Sequence, residues 1–403
     1  MAELTSPRPP VPARAPPWSG FFTVACALFA VLLSSTLPTA LYSSYAARYG
    51  FGSGTLTLLF AVFVAGILVV LTAFGSLSDR VGRRVVLLGA MTTALAGSIL
   101  LCVANDVALL FLGRFLHGVA AGLAFGAGTA ALVDLHPHRD RDQAALTSTV
   151  ANVAAQATGA ILGGVFGQWL PFRLRLVWLV YVALLIPVTA LIWRLPDDTP
   201  VPGRHHIGPG TLGVPAEMRT LFLANALGAF AMSAVLGLYS CLTPTFLSKL
   251  LDLSSLALAG AVSFLLMSVS GLTQLALRSL SPRVAAVTGL VTLTTGMIAV
   301  TTAATIPSLP LLLGGTVVAG FGQGLAFMGL LDAVSRASSD HRRAGVVSAF
   351  YIAAWLGAAL PVLGVGYLAP AIGLLNSVGA FTAVIALLSL LAATAVLRKT
   401  TSA

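Results

Sequence analysis

Apolar residues run along this chain in long, nearly unbroken stretches separated by short polar interruptions. The stretches fall near 20–43, 54–77, 85–105, 107–132, 144–170, 174–194, 219–246, 256–277, 284–305, 308–333, 344–368 and 371–397. Each holds about 20 residues or slightly more, the length an α-helix needs to cross the hydrocarbon core of a bilayer. Membrane-spanning strands would instead show alternating segments of about ten residues, and these runs are uniformly apolar. The pattern predicts an all-α polytopic membrane protein with twelve transmembrane helices.

The polar segments divide the chain. Residues 1–18 are Pro-rich and predict a disordered cytoplasmic tail, 19–195 a first six-helix bundle, 196–217 a cytoplasmic linker, 218–398 a second six-helix bundle and 399–403 a short tail. The two halves repeat each other at an offset of about 202 residues: GVAAGLAF at 118–125 against GFGQGLAF at 320–327, SLSDRV at 76–81 against SLSPRV at 279–284, and LPTALYS at 37–43 against TPTFLSK at 243–249. Two parallel repeats around a central site are a transporter plan.

Composition excludes the soluble classes. Of 403 residues 58% are hydrophobic and 8% charged, against roughly 25% charged in soluble domains. The net charge of +10 reads as topology. With the N-terminus inside, 17 of the 22 basic residues fall in segments at the cytoplasmic side and four (Arg48, Arg173, Arg175 and Lys249) outside. That asymmetry predicts a multi-pass protein with both termini cytoplasmic, and 20 Arg against 2 Lys, with abundant Ala, Gly and Leu, points to a bacterial cell membrane. Arg173 and Arg175 run against the rule. No segment has the basic, aromatic-studded character of a nucleic-acid site. Cys26, Cys102 and Cys241 lie in apolar runs and predict packing rather than disulfides.

The break after the second stretch reads Gly75-Ser76-Leu77-Ser78-Asp79-Arg80-Val81-Gly82-Arg83-Arg84. An ordinary positive-inside loop accounts for the arginines but not for an acid and two glycines at fixed offsets. This G-x-x-x-D-R-x-G-R-R loop resembles the signature motif A of the major facilitator superfamily (MFS), and twelve helices in two six-helix pseudo-repeats resemble its fold. The resemblance implies that Gly75, Asp79, Arg80, Gly82, Arg83 and Arg84 form a conformational switch, a charge network that breaks and reforms as the halves rock. The second half keeps a worn copy, Leu280-Ser281-Pro282-Arg283.

Phe111-Leu112-Gly113-Arg114-Phe115-Leu116-His117-Gly118, continuing to Gly122, is similar to the family's motif B. Arg114 is the one base deep in a predicted span, and a guanidinium there must find an acid, a carbonyl, a substrate anion or a wet cavity. It is read as serving proton coupling or cavity electrostatics, with carbonyl-bonded structure as the alternative. His117, one turn on, titrates near neutrality when unperturbed and is a candidate proton carrier or a packing residue. Gly159-Ala160-Ile161-Leu162-Gly163-Gly164 resembles motif C of proton-driven exporters, with Ala160 where that motif has Pro. Gly118, Gly122, Gly159, Gly163, Gly164 and Pro361, the last in the repeat counterpart on helix eleven, are expected to serve helix packing.

Polar side chains in lipid spans mostly face the bundle interior, which makes Ser34, Ser35, Asn152, Gln156, Asn225, Tyr239, Gln323, Tyr351 and Trp355 candidates for a substrate cavity. No acid lies at mid-membrane, so a neutral or amphipathic organic molecule, or an anion meeting Arg114, is favoured over a cation. His136, His138, Asp140 and Asp142 in HPHRDRD read as a solvated loop rather than a metal site. The sequence thus predicts a monomeric secondary transporter, with no cofactor or metal, working by proton-coupled efflux of a drug-like or secondary-metabolite compound. Uptake of a sugar-like metabolite is the alternative. A non-transporting sensor or a membrane-embedded enzyme is disfavoured, since no nucleophile–base set lies inside the spans.

Overall fold

The computed structural model describes residues 18–74, 77–195, 214–339 and 342–398. Gly75, residues 1–17, residues 399–403 and the linker up to residue 213 lie outside the described residues, as does the side chain of Asp79. The first half is built of α1 (Trp18–Leu33), α2 (Tyr42–Tyr49), α3 (Ser53–Ala73), α4 (Leu77–Val81), α5 (Arg83–Val103), α6 (Val107–Leu135), α7 (Arg141–Trp169) and α8 (Arg173–Trp193). The second half is built of α9 (Arg219–Leu250), α10 (Leu256–Ala276), α11 (Pro282–Thr305), α12 (Leu309–Ala337), α13 (Arg343–Ile372) and α14 (Leu374–Arg398). Among the described residues eleven helices are long and apolar enough to cross a membrane. The protein is an all-α, multi-pass membrane protein.

The first predicted helix, 20–43, is not one helix. α1 stops at Leu33 after 16 residues, about 24 Å at 1.5 Å per residue and short of a full crossing. A 3-10 turn at Thr39–Leu41 and α2 complete the span. Pro38 is the cause. It has no N–H for the carbonyl four residues back, and its ring clashes there; that residue is Ser34. Hydroxyls stabilise the stop, since Ser34 Oγ donates to the Val31 carbonyl at 2.8 Å and Ser35 Oγ to that of Leu32 at 2.6 Å.

Elsewhere the ends follow local chemistry. Asp106 accepts from the Leu109 N–H and Asp140 from those of Asp142 and Gln143, which caps α6 and α7. The worn copy of the charged loop has become a helix start, with Ser281 capping α11 and Pro282 in its first turn. In the HPHRDRD segment His138, Arg139, Arg141 and Asp142 are exposed, as expected of a solvated loop, and His136 is the exception. His136 is buried. Its Nδ1 accepts from the backbone N–H of His138 and of Asp140, both at 3.2 Å, which leaves Nε2 to donate to Gln143 Oε1 at 2.8 Å. Trp18 lies edge-on against it at 5.1 Å.

The halves meet where α3 packs on α13 and α7 on α10. α7 and α10 cross with backbone against backbone, so that a Cβ placed on Gly164 or Gly260 would lie 3.0 Å from the other's Cα. Hydrogen bonds join the halves at the end of the bundle away from the termini. Ser53 Oγ donates to the Gly366 carbonyl at 2.8 Å, and the Leu256 N–H to Gln168 Oε1 at 2.9 Å. Cys241 Sγ lies 3.7 Å from the Leu56 carbonyl.

Candidate functional site

A helix interrupted inside a membrane must place every freed carbonyl, because lipid offers no donor. The break in α1 meets this demand with donors from two neighbouring helices and from its own backbone. Tyr181 of α8 donates its hydroxyl to the Ala30 carbonyl at 2.8 Å. Leu37 N–H returns to Leu33 at 3.1 Å and Thr39 N–H to Thr36 at 2.9 Å. The Ser34 carbonyl, which Pro38 cannot serve, accepts from Arg114 Nη1 at 2.9 Å, and that of Ser35 lies 3.4 Å from Nη2. Arg114 thus stands at the C-terminal, partially negative end of α1, where a cation is stabilised. Its guanidinium also lies 4.3 Å from the Phe63 ring centroid, and it is only 2% exposed. Its partners are backbone carbonyls and an aromatic face.

α7 receives the broken segment. Thr36 Oγ1 donates to the Gln156 carbonyl at 2.6 Å. Gly159 and Gly163 lie directly beneath, Gly163 against the Leu37 carbonyl, so closely that a Cβ would collide with backbone. Gly118 and Gly122 give α6 the same closeness to Phe63 and Val70 of α3. Pro361 lies inside the unbroken α13. These placements put the motif C-like glycines at the α1 break and at the α7–α10 crossing.

His117 faces away from the seam between the halves. It is fully buried, 5.2 Å from the Trp178 ring centroid and 6.1 Å from that of Tyr181. Ser98 Oγ donates its hydrogen to the Ala94 carbonyl at 2.7 Å, so His117 Nε2 carries a proton and donates to Ser98 Oγ at 3.0 Å. Nδ1 has no partner among the described residues.

The polar cavity candidates separate into three groups. Tyr239 pairs with Thr316 at 2.8 Å inside the second half, and the hydroxyls of Ser34 and Ser35 are turned back on their own helix. Asn152 and Gln156 bond to each other at 2.8 Å on α7. Tyr351 of α13 meets Phe125 of α6 across the seam at 5.1 Å, and Trp355 meets Phe63 at 6.2 Å. Asn225 Oδ1 and Gln323 Oε1 are buried acceptors without a partner among the described residues, the kind of group that a water or a ligand completes.

Of the charged loop, Asp79 and Arg80 fall in α4 and Gly82 turns the chain into α5 at φ 92°. Arg83 forms a salt bridge with Asp134 near the end of α6, and Arg84 Nη2 reaches the Trp193 carbonyl at the end of α8. Phe63, Tyr181 and Thr36 escaped the sequence reading, and Asp134 is legible there only as an acid at a cytoplasmic helix end. The one signal that pointed to Arg114's partner was Pro38 itself, four residues past Ser34.

Two halves of long apolar helices, meeting along a seam that carries the aromatic pairs Phe63–Trp355 and Phe125–Tyr351, define the class of polytopic α-helical membrane proteins. The sequence profile of the Major Facilitator Superfamily matches residues 23–360, and the chain belongs to that family. It is 29% identical over 182 residues to a triacylglyceride transporter of Mycobacteroides abscessus, covering 44% of this chain and 32% of the relative. It is 27% identical over 205 residues to a putative multidrug resistance protein, MdtD, of Klebsiella pneumoniae, covering 50% of this chain and 42% of the relative. The matches thus span less than half the length of either relative. The fold is similar to the crystal structure of a bacterial homologue of the human lysosomal transporter Spinster in an inward-facing, unoccupied conformation, with TM-score 0.76 and 17% identity over 95% of this chain and 98% of that one.

Proposed function

We propose that this chain exports a small organic compound across the bacterial cell membrane by alternating access, coupled to inward proton movement, with both termini cytoplasmic and the monomer as the working unit. The observation that carries the reading is the seam. The halves join through small residues and a few hydrogen bonds at the end away from the termini, which suits two bodies that rock rather than one fused bundle. By resemblance, Asp79, Arg80 and Arg83 act as the switch at the opposite end.

The substrate class follows from what lines the seam. Arg114 is engaged by α1 carbonyls and Phe63, which disfavours an anion site there. Phe63, Phe125, Tyr351 and Trp355 suit a neutral or amphipathic molecule with an apolar face, and the buried free acceptors of Asn225 and Gln323 elsewhere in the second half suit a hydrogen-bond donor on it. Export is supported by the similarity to a putative multidrug resistance protein and by the motif C-like glycines. One proton moving inward down 100 mV and one pH unit releases about 3.7 kcal/mol, enough for a gradient of a few hundredfold. The surroundings of His117 favour packing over proton carriage.

Counterflow of aromatic, amphipathic compounds in proteoliposomes tests the transport reading; no exchange of any such compound in the presence of correctly folded protein overturns it. A protonophore should abolish uphill export, and uphill export that survives it removes the proton from the scheme.

A further inference from the structure

Three of the four basic residues that run against the charge asymmetry converge on one place. Arg48 at the end of α2, and Arg173 and Arg175 at the start of α8, line a cavity of about 530 Å³ together with Leu170, Phe172 and Leu174. It lies at the end of the bundle away from the termini. Their existing partners are weak and uncharged. Arg173 Nη1 donates to the Gly167 carbonyl at 3.3 Å and Arg175 Nη2 to Asn105 Oδ1 at 3.4 Å, while Arg48 lies 5.6 Å from the Tyr49 ring centroid. Among the described residues no salt bridge links any of the three to an acid.

The local backbone sharpens the excess. α8 begins at Arg173 with no side-chain cap, its preceding residue Phe172 in the left-handed region at φ 49°. Two arginines therefore sit in the first turn, where the helix dipole already disfavours cations. Fifteen guanidinium N–H donors and a positive helix end surround one cavity and meet two neutral acceptors. This is a site for an anion with several acceptor oxygens, which arginine recognises better than lysine through its forked donors.

The apolar rim decides the source. Trp169 is 68% exposed and Phe172 85%, beside Leu170 and Leu174. Aromatic side chains at this level are membrane-interface anchors; they add nothing to capture of a free ion, and they match the glycerol and first acyl carbons of a lipid. We propose that this corner binds the phosphate of an anionic phospholipid headgroup in the leaflet away from the termini, with Arg48, Arg173 and Arg175 on the phosphate and Trp169 and Phe172 against the acyl chains.

The test is retention of phosphatidylglycerol by the purified full chain, followed by native mass spectrometry. Wild type is compared with R48Q/R173Q/R175Q and with R278Q, a base at the other end. Each basic residue near an anionic lipid surface contributes roughly fivefold in affinity, so the triple variant should bind at least about tenfold more weakly while R278Q binds as wild type. Phosphatidylcholine should not be retained, and millimolar inorganic phosphate should leave phosphatidylglycerol in place. Equal retention by the triple variant overturns the proposal. So does displacement by inorganic phosphate, which marks a free-anion site, or equal retention of phosphatidylcholine, which marks apolar adhesion. If the triple variant fails to elute as monodisperse protein, the single variant R48Q, which leaves the first turn of α8 intact, gives the same comparison with a loss of roughly fivefold expected.

Discussion

Replacing Arg114 with Leu isolates the clamp on α1. The substitution removes the donors that serve the Ser34 and Ser35 carbonyls and leaves both buried in a membrane interior. An orphaned buried acceptor costs about 1–3 kcal/mol. The Ser34 bond, at 2.9 Å, carries the full penalty, and the Ser35 contact, at 3.4 Å, a fraction of it. Loss of the cation–π contact with Phe63 adds about 0.5–2 kcal/mol, and relief from burying a charge offsets part of the total. The expected net loss is about 2–3 kcal/mol. The decisive arm is Pro38→Ala, which gives residue 38 an N–H able to close the helical bond to Ser34. In the Arg114→Leu background it should restore about 1–2 kcal/mol, a coupling that a double-mutant cycle reads directly. Unfolding in mixed micelles, followed by tryptophan fluorescence, supplies the free energies, with transport measured in parallel. If Arg114→Leu unfolds within 0.5 kcal/mol of wild type, near the usual error of such cycles, and Pro38→Ala rescues nothing, the arginine does not hold the break and its charge serves another purpose.

Gly163→Val should destabilise the protein by at least about 1–3 kcal/mol, read as a lower thermal midpoint, because its side chain would strike the Leu37 carbonyl. His117→Gln should leave gradient-driven transport near the wild-type rate in vesicles with an imposed pH gradient, since an amide can still donate to Ser98; loss of gradient dependence with folding intact would make the ring a proton carrier. Asp134→Asn should cost under about 1 kcal/mol of stability, as its side chain is 52% exposed in the pair with Arg83, yet slow transport by loosening the switch end. Unchanged transport would detach this pair from the cycle. A cysteine at 205 in a background without native cysteines should react from the cytoplasmic side alone, and labelling from outside would invert the topology.

Helix existence was legible because twenty apolar residues in a row leave few other solutions in lipid. The half-to-half duplication was legible too, yet it misled in one respect. Pro38 and Pro244 occupy matching places in the two copies, but α9 continues through Pro244 whereas α1 stops before Pro38. The position matching Arg114 in the second copy is Thr316, whose hydroxyl donates to the Leu312 carbonyl of its own helix and pairs with Tyr239 rather than serving carbonyls of a broken neighbour. A proline alone bends or breaks a helix according to which donors lie across from it, and those come from other helices. The same limit hid the inward turn of His136, whose buried place depends on Trp18 and Gln143. Arg114 was visible as a buried charge, but its partners have no side-chain signature because they are main-chain carbonyls.

The crossing of α7 and α10 at Gly164 and Gly260 has a kinetic consequence. No side chain is interposed at the crossing itself, so rotation about that point requires no rotamer exchange there, although Val153 packs against Gly271 and Leu256 against Gly167 on the same pair of helices. It works as a bearing. The resistance to opening then comes from what lies beside it: the latches of Ser53 on Gly366 and Gln168 on Leu256, and the apolar contacts of Tyr367 with Gly54 and of Leu256 with Gly167. Two such bonds contribute about 1–3 kcal/mol together, a small fraction of what separating a tightly interdigitated interface would demand. In the proposed cycle, opening of this end is therefore limited by those apolar contacts rather than by the hydrogen bonds.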